Sequence, residues 1–205
     1  VQDGIADKVI DMLNGACKEL TLGDPLSLAT DIGPVIDKEA LANLQSHADR
    51  MDKEAKLVAS VKLTEETANG TFFAPRAYEI KSMTALKREV FGPVLHIIRF
   101  KGEDLDAVIK DINDTGYALT FGVHTRIDHT MQKLCSRINA GNCYVNRSMI
   151  GAVVGVQPFG GHGLSGTGPK AGGPYYLPRF ATEHTVTINT TASGGNTTLV
   201  SLSED

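Results

Sequence analysis

Residues 95–146, LHIIRFKGEDLDAVIKDINDTGYALTFGVHTRIDHTMQKLCSRINAGNCYVN, decide the fold. The opening LHIIRF is almost continuously apolar and of strand length, which predicts a strand buried on both faces of a mostly parallel sheet. A helix is expected from about Glu103 to Ile112, with Leu105, Val108, Ile109 and Ile112 on its buried stripe and Asn113-Asp114-Thr115-Gly116 ending it. Leu119 to His124 has the pattern of a strand. Asp128 then caps a helix carrying Met131, Leu134, Cys135 and Ile138, Gly141 stops it, and Cys143 to Asn146 forms the next strand. Helix and strand alternate, so the fold class is α/β with parallel strands.

Upstream, Ile5, Val9, Leu13, Ala16 and Leu20 recur at helical spacing between Asp3, a candidate N-cap, and Gly23-Asp24-Pro25, a stop. A second amphipathic helix is expected from Lys38 to Lys53, with Asp37 before it and Leu41, Leu44, Ala48 and Met51 on one face. Lys56 to Lys62 and the short TFFAP, residues 71–75, read as strands on either side of the Asn69-Gly70 turn, and the segment Tyr78 to Met83 follows. Downstream, HTVTINTT at His184 to Thr191 alternates apolar residues with threonines, a half-exposed strand suited to extending a partner's sheet. The tail from Ser193 is small and polar, and is expected to be mobile unless something covers it.

Composition narrows the function. The chain has 205 residues, 41% of them hydrophobic, enough for a real core. Lys and Arg number 20 against 24 acidic residues, giving a net charge of -4 without a basic run, so neither nucleic acid nor an anionic membrane is an expected partner. No apolar run reaches the roughly 20 residues of a spanning helix. The start, VQDGIADKVIDML, lacks the basic flank and apolar run of a signal peptide and enters a helix at once, as a chain cut at a domain boundary would. Three cysteines at unrelated spacings, Cys17, Cys135 and Cys143, fit free thiols in a reducing cytoplasm. No metal site is expected: CxxC is absent, and His124 and His129 lack ligand partners in a recognisable pattern.

Nine glycines gather between Gly151 and Gly173, in GAVVGVQPFGGHGLSGTGPKAGG. Gly161-His162-Gly163-Leu164-Ser165-Gly166 satisfies the dinucleotide fingerprint formally, but no strand leads into it, no helix follows it, and no βαβ unit surrounds it. A phosphate-binding Walker loop is absent too. A flexible connector is the bland alternative, against which stand the interleaved Val153, Val154, Phe159 and Leu164.

Together EVFGPV (89–94), AGNCYVNR (140–147) and QPFGGHGLSGTG (157–168) resemble the C-terminal signature segments of the aldehyde dehydrogenase superfamily. More narrowly, MIGAVVGVQPFGG followed by SGTGPKAGGPYYLPRFATE is similar to the L-glutamate-γ-semialdehyde (Δ1-pyrroline-5-carboxylate) dehydrogenases, above all to the dehydrogenase module of bifunctional proline utilization A proteins. The resemblance covers essentially the whole chain. It implies an aldehyde dehydrogenase catalytic domain, C-terminal part, over 1–180, then an oligomerisation-flap strand and polar tail over 181–205.

Oxidising an aldehyde to an acid requires a thiolate nucleophile, a nicotinamide to accept hydride, an oxyanion stabiliser and a base that activates water. Cys17 and Cys135 fall in predicted helices and Cys143 in a predicted strand, settings that do not make a thiolate. The resemblance therefore places nucleophile and base upstream of Val1. It implies that Glu89 holds the hydroxyls of the nicotinamide ribose and that Phe91 packs beside the nicotinamide ring, so the cofactor is NAD. A carboxylate accepts two hydrogen bonds from a vicinal diol, a flat ring restrains a flat ring, and Gly92-Pro93 fixes the turn. Without the resemblance, Arg88-Glu89 is an ordinary solvated pair. For substrate, the resemblance implies that the N–H groups of Gly151 and Ala152 anchor the α-carboxylate and that Phe159 lines the aliphatic part. Core packing is the alternative for Phe159, and Ser165 is assigned to the SGTG turn.

The resulting expectation is part of an NAD-dependent enzyme oxidising L-glutamate γ-semialdehyde, inactive alone, completed by the rest of a parent chain and homo-oligomeric. FAD, a quinone-bearing membrane and any DNA-binding segment belong to other parts of such a parent. The alternative of a different class is a noncatalytic aldehyde-dehydrogenase-like module that has kept the fold for structure or oligomerisation. Another aldehyde dehydrogenase with a different substrate is the alternative within the enzyme class.

Overall fold

A computed structural model describes residues 1–153 and 155–193. The chain divides into two compact units, one built from Val1–Tyr117 and Thr125–Asn139, the other from Ala118–His124 and the residues from Ala140 onward.

The first unit is a three-stranded sheet between two helices. Helix α1 (Asp3–Glu19) precedes α2 (Lys38–Glu54), β1 (Lys56–Ser60), β2 (Arg76–Glu79) and β3 (Val94–Ile97). The strand order is β1-β2-β3. β1 runs antiparallel to β2, Leu57 opposite Tyr78, with an irregularity between Leu57 and Ala59; β3 runs parallel to β2, Ala77 opposite Leu95. Successive strand residues face opposite ways. Ala77 and Ile97 accordingly pack with Cys17 and Leu22 on the α1 side, and Tyr78 packs with Met51 on the α2 side. Tyr78 donates its hydroxyl to Asp52 Oδ1 at 2.6 Å, pinning α2 to the sheet. α3 (Leu105–Asp114) and α4 (Asp128–Arg137) complete this unit. Asp106 pairs with both Lys133 and Arg137, and the Asn113 amide bonds the backbone at Arg137 and Asn139.

The two-residue strand β4 (Tyr117–Ala118) ends at the first residue of the second unit, which carries a parallel pair, β5 (Thr120–Val123) against β6 (Asn142–Val145), and the two-residue β7 (His162–Gly163). The rest of this unit's described residues are mostly loop.

Several expectations need correction. The sheets are small and mixed, because the strands are distributed between two units and β1 joins antiparallel. β3 is an edge strand, so Leu95 stays 49% exposed and LHIIRF is not covered on both faces. TFFAP forms no strand; Thr71 spends its hydrogen bonds on Val35, at 2.8 Å through the carbonyl and 2.5 Å through the hydroxyl, and Phe73 drops into the core under α2. Gln2 occupies the cap position of α1 and Ile127 that of α4, so Asp3 and Asp128 are first-turn residues that favour the helix through its dipole. Asp37 does cap α2, accepting from Ala40 N at 2.7 Å. The expected strand at His184 to Thr191 is absent among the described residues: 184–189 carry no strand and Thr190–Ser193 is a 3-10 turn. An isolated edge strand has no ladder to complete without a partner. The tail beyond Ser193 lies outside the described residues, as does Val154.

Candidate functional site

Two concave surfaces carry the predicted residues or lie near them, one in each unit. In the first unit a groove of about 540 Å³ is lined by Leu44, His47 and Arg50 of α2 and by the 87–91 segment. The chain reverses here because Val94 N donates to Gly92 O at 2.8 Å, and Arg76 N then takes Pro93 O at 3.1 Å, handing the chain to β3. Gly92 is at φ +153°, and a Cβ there would lie 2.6 Å from Leu44 Cδ2. Leu44 is 1% exposed, so the glycine is what lets the turn sit down on α2. Packed this way, the turn presents Phe91 with 89% of its surface bare and Glu89 exposed beside it. Glu89 has no ion pair or hydrogen bond among the described residues, which leaves both carboxylate oxygens free to accept hydroxyl donors. Glu89 and Phe91 both line this groove.

The second unit holds Gly151, Ala152 and Phe159. Gly151 is left-handed at φ +70°, a conformation that favours glycine. Neither its N–H nor that of Ala152 has a hydrogen-bond partner among the described residues. Phe159 is half-buried and exchanges two 3.0 Å backbone bonds with Ala171. Asn142 of β6 clamps its neighbours, donating to Pro158 O at 2.9 Å and accepting from Gly160 N at 3.3 Å. A Cβ on Gly141 would lie 1.8 Å from Gly160 O, so backbone meets backbone at that point. Ser165 Oγ accepts from Ala118 N at 2.9 Å, the structural part assigned to it, and no helix follows the formal dinucleotide fingerprint. A cavity of about 740 Å³ in this unit is lined by Asn142, Tyr144, Arg147, Gln157 and Tyr175 among others; Gly151, Ala152 and Phe159 are not on its wall.

Residues 1–186 match the aldehyde dehydrogenase family. The chain belongs to that family. It is 50% identical over 183 residues to the bifunctional protein PutA of Rhizobium meliloti, covering 89% of this chain and 15% of the relative. A crystal structure of a variant of proline utilization A (PutA) from Bradyrhizobium japonicum superimposes with a TM-score of 0.88 at 55% identity, over 95% of this chain and 20% of that one. A 1-pyrroline-5-carboxylate dehydrogenase from Thermus, crystallised with bound NAD, gives a TM-score of 0.77 at 36% identity, over 87% of this chain and 34% of that one. The chain thus spans about a fifth or less of the PutA proteins it matches.

For an aldehyde dehydrogenase, the cysteines sit as the sequence predicts. Cys17 is buried in α1, Cys135 is half-buried in α4 and Cys143 is exposed on β6, all without disulfides. No group of metal-ligating side chains occurs among the described residues.

Sequence reading missed three residues of the groove region: His47, Arg50 and His96. His47 Nε2 meets His96 Nε2 at 2.9 Å, one ring donating and the other accepting. Burial, then the charge of His47 and Arg50, lowers the His96 pKa to about 4. Burial, followed by Arg50 and Arg88, also lowers that of His47. Arg50 donates to Ala85 O at 3.1 and 3.2 Å and pairs with Glu54 at 2.7 Å. The available signal was the spacing Leu44, His47, Ala48, Met51, which puts a histidine on the core face of α2.

Proposed function

We propose that this chain is the C-terminal part of the catalytic domain of an NAD-dependent L-glutamate-γ-semialdehyde dehydrogenase. It serves proline catabolism within a bifunctional proline dehydrogenase/semialdehyde dehydrogenase. The observation that carries the reading is the Glu89–Phe91 turn, an unpartnered carboxylate and a bare ring on one groove, in a chain 50% identical to a bifunctional PutA.

When bound, NAD supplies the hydride acceptor. Glu89 takes hydrogen bonds from the nicotinamide ribose hydroxyls, and Phe91 lies against the nicotinamide ring and limits its orientations. The N–H groups of Gly151 and Ala152 hold the substrate α-carboxylate, a charge-assisted contact that no side chain crowds, and Phe159 covers the aliphatic stem. We assign the nucleophilic cysteine and the general base to the remainder of the parent chain, since Cys17, Cys135 and Cys143 have neither a helix N-terminus nor a loop setting. In this reading 1–180 belong to the catalytic domain and 181–205 to an oligomerisation segment and tail of a cytoplasmic homo-oligomer, the segment becoming a strand only when a partner's sheet pairs with it. FAD serves only the parent's proline dehydrogenase module. This segment itself contacts neither membrane nor nucleic acid.

The test is NADH formation from L-glutamate γ-semialdehyde by this chain and by the full-length protein. Activity only in the longer protein is the expected result. Activity in this chain alone would return the nucleophile to one of its three cysteines, and silence in both would favour a noncatalytic module.

A further inference from the structure

The rings of His47 and His96 stand edge to face with centroids 5.1 Å apart, joined by the 2.9 Å Nε2 contact. His47 is 8% exposed on the core side of α2, and His96 is half-buried on β3. A polar side chain in such a place costs stability unless it is partnered, and an aliphatic residue would fill either position without that requirement. The proposed chemistry uses neither imidazole.

Their location gives them a use. His47 lines the groove together with Glu89 and Phe91. Helix α2 grips the segment carrying that turn at three points. Arg50 holds Ala85 O before the turn, Leu44 fills the space over Gly92 within it, and His47 meets His96 just after it. Of the three, only the last is a hydrogen bond between side chains from both partners, and so the most directional.

We infer that His47 and His96 are positioning residues that fix the Glu89–Phe91 turn on α2, so that affinity for the nicotinamide nucleotide depends on their hydrogen bond. The inference rests on the reading of that turn as the cofactor contact. The bond forms when both rings are neutral and also when one is charged; with both charged, neither nitrogen accepts and the bond is lost. The charged groups facing the pair are Arg50 and Glu54 of α2 and Arg88 from the segment ahead of the turn. Two cations against one carboxylate, itself committed to Arg50, oppose a second proton. Nucleotide affinity therefore holds at neutral pH and declines on acidification.

The experiment uses the full-length enzyme with His96→Phe, which keeps a ring and removes the nitrogens, and His96→Gln, which keeps a donor and an acceptor. His96→Phe should raise KM for NAD roughly two- to tenfold, the size of one lost neutral hydrogen bond, while KM for the aldehyde and kcat stay within about twofold. His96→Gln should recover most of that loss. It should also flatten the acid limb of kcat/KM for NAD. An unchanged KM for NAD in His96→Phe, or an equal rise for both substrates that Gln does not rescue, overturns the inference. Should His96→Phe fail to fold, the pH profile of His96→Gln decides alone, and a retained acid limb overturns it. Glu89→Gln is measured alongside. If it leaves KM for NAD unchanged, the cofactor reading falls and takes this inference with it; if it raises KM while the His96 variants do not, only the positioning role falls.

Discussion

The Glu89–Phe91 turn and the glycine loop at 151–173 are built by opposite means. The turn offers side chains, and side chains of α2 hold it: Leu44 beneath Gly92 and His47 against His96. The loop offers backbone amides, and largely backbone holds it, with Gly141 lying against Gly160 O, Phe159 bonded to Ala171, and the Asn142 amide and Lys170 ammonium reaching backbone carbonyls. Packed side chains yield by small increments when one is changed, whereas backbone in van der Waals contact has nowhere to go. The two regions should therefore fail differently.

The largest effect is expected at Gly141. Its missing Cβ would sit 1.8 Å from Gly160 O, a distance no rotamer change can relieve. Gly141→Ala should cost upwards of about 3 kcal/mol locally. Amide exchange is the sensitive measurement. Phe159 and Ala171, which donate to each other at 3.0 Å, should lose protection, while Ile80, bonded to Ile97 O at 2.9 Å in the first unit, keeps its own. Equal loss at all three amides would show that the loop is not held locally, and would erase the contrast between the regions.

Much of this was legible in sequence, and the failures share a cause. Helices α2, α3 and α4 were visible because their apolar stripes repeat at 3.6 residues, and Asp37 capped where a short acceptor before Lys38 should. The motifs at Glu89–Val94 and Gln157–Gly168 point to the family from sequence alone. Sequence could not show which strands share a sheet: LHIIRF looked central, yet β3 is an edge whose outer neighbour is absent among the described residues. The histidine pair was hidden for the same reason. Each imidazole, taken alone, is an ordinary core histidine, and only the pairing of α2 with β3, 49 residues apart in sequence, makes them one unit.

A middle-sized effect is expected at Gly92, which tests the turn as Gly141 tests the loop. A Cβ there meets Leu44 Cδ2 at 2.6 Å and Cδ1 at 2.7 Å, and Leu44 is enclosed with Ala48 and Phe73. Side chains can still shift, so Gly92→Ala should cost only about 2 kcal/mol. Leu44→Ala should itself cost about 2–5 kcal/mol as a core truncation, but in that background Gly92→Ala should cost less, because the clashing methyls are gone. Urea unfolding of the single and double variants gives the coupling directly. Strict additivity would mean that the turn is not braced by α2 in the way the geometry indicates.

The smallest effect comes from protons, and it sharpens the comparison because it acts on the turn's support alone. Burial, with the charges of His47 and Arg50, lowers the His96 pKa from its ordinary 6.5 to about 4 in the folded protein. The unfolded chain therefore takes up a proton first as pH falls. Stability from this group is fully present above 6.5 and drains away toward the folded value near 4, and His47 shifts in the same direction. Discounted for the solvent exposure of His96, the loss by about pH 5 should be on the order of 1 kcal/mol. Ordinary carboxylates titrate mostly below that pH, which leaves the window to the histidines. Urea midpoints of wild type and His96→Gln at about pH 7.5 and about pH 5 separate the cases. A fall in the wild type that Gln largely removes locates the acid sensitivity in the α2–β3 brace. Parallel falls in both proteins would place it elsewhere and deny the pair its part in holding the turn.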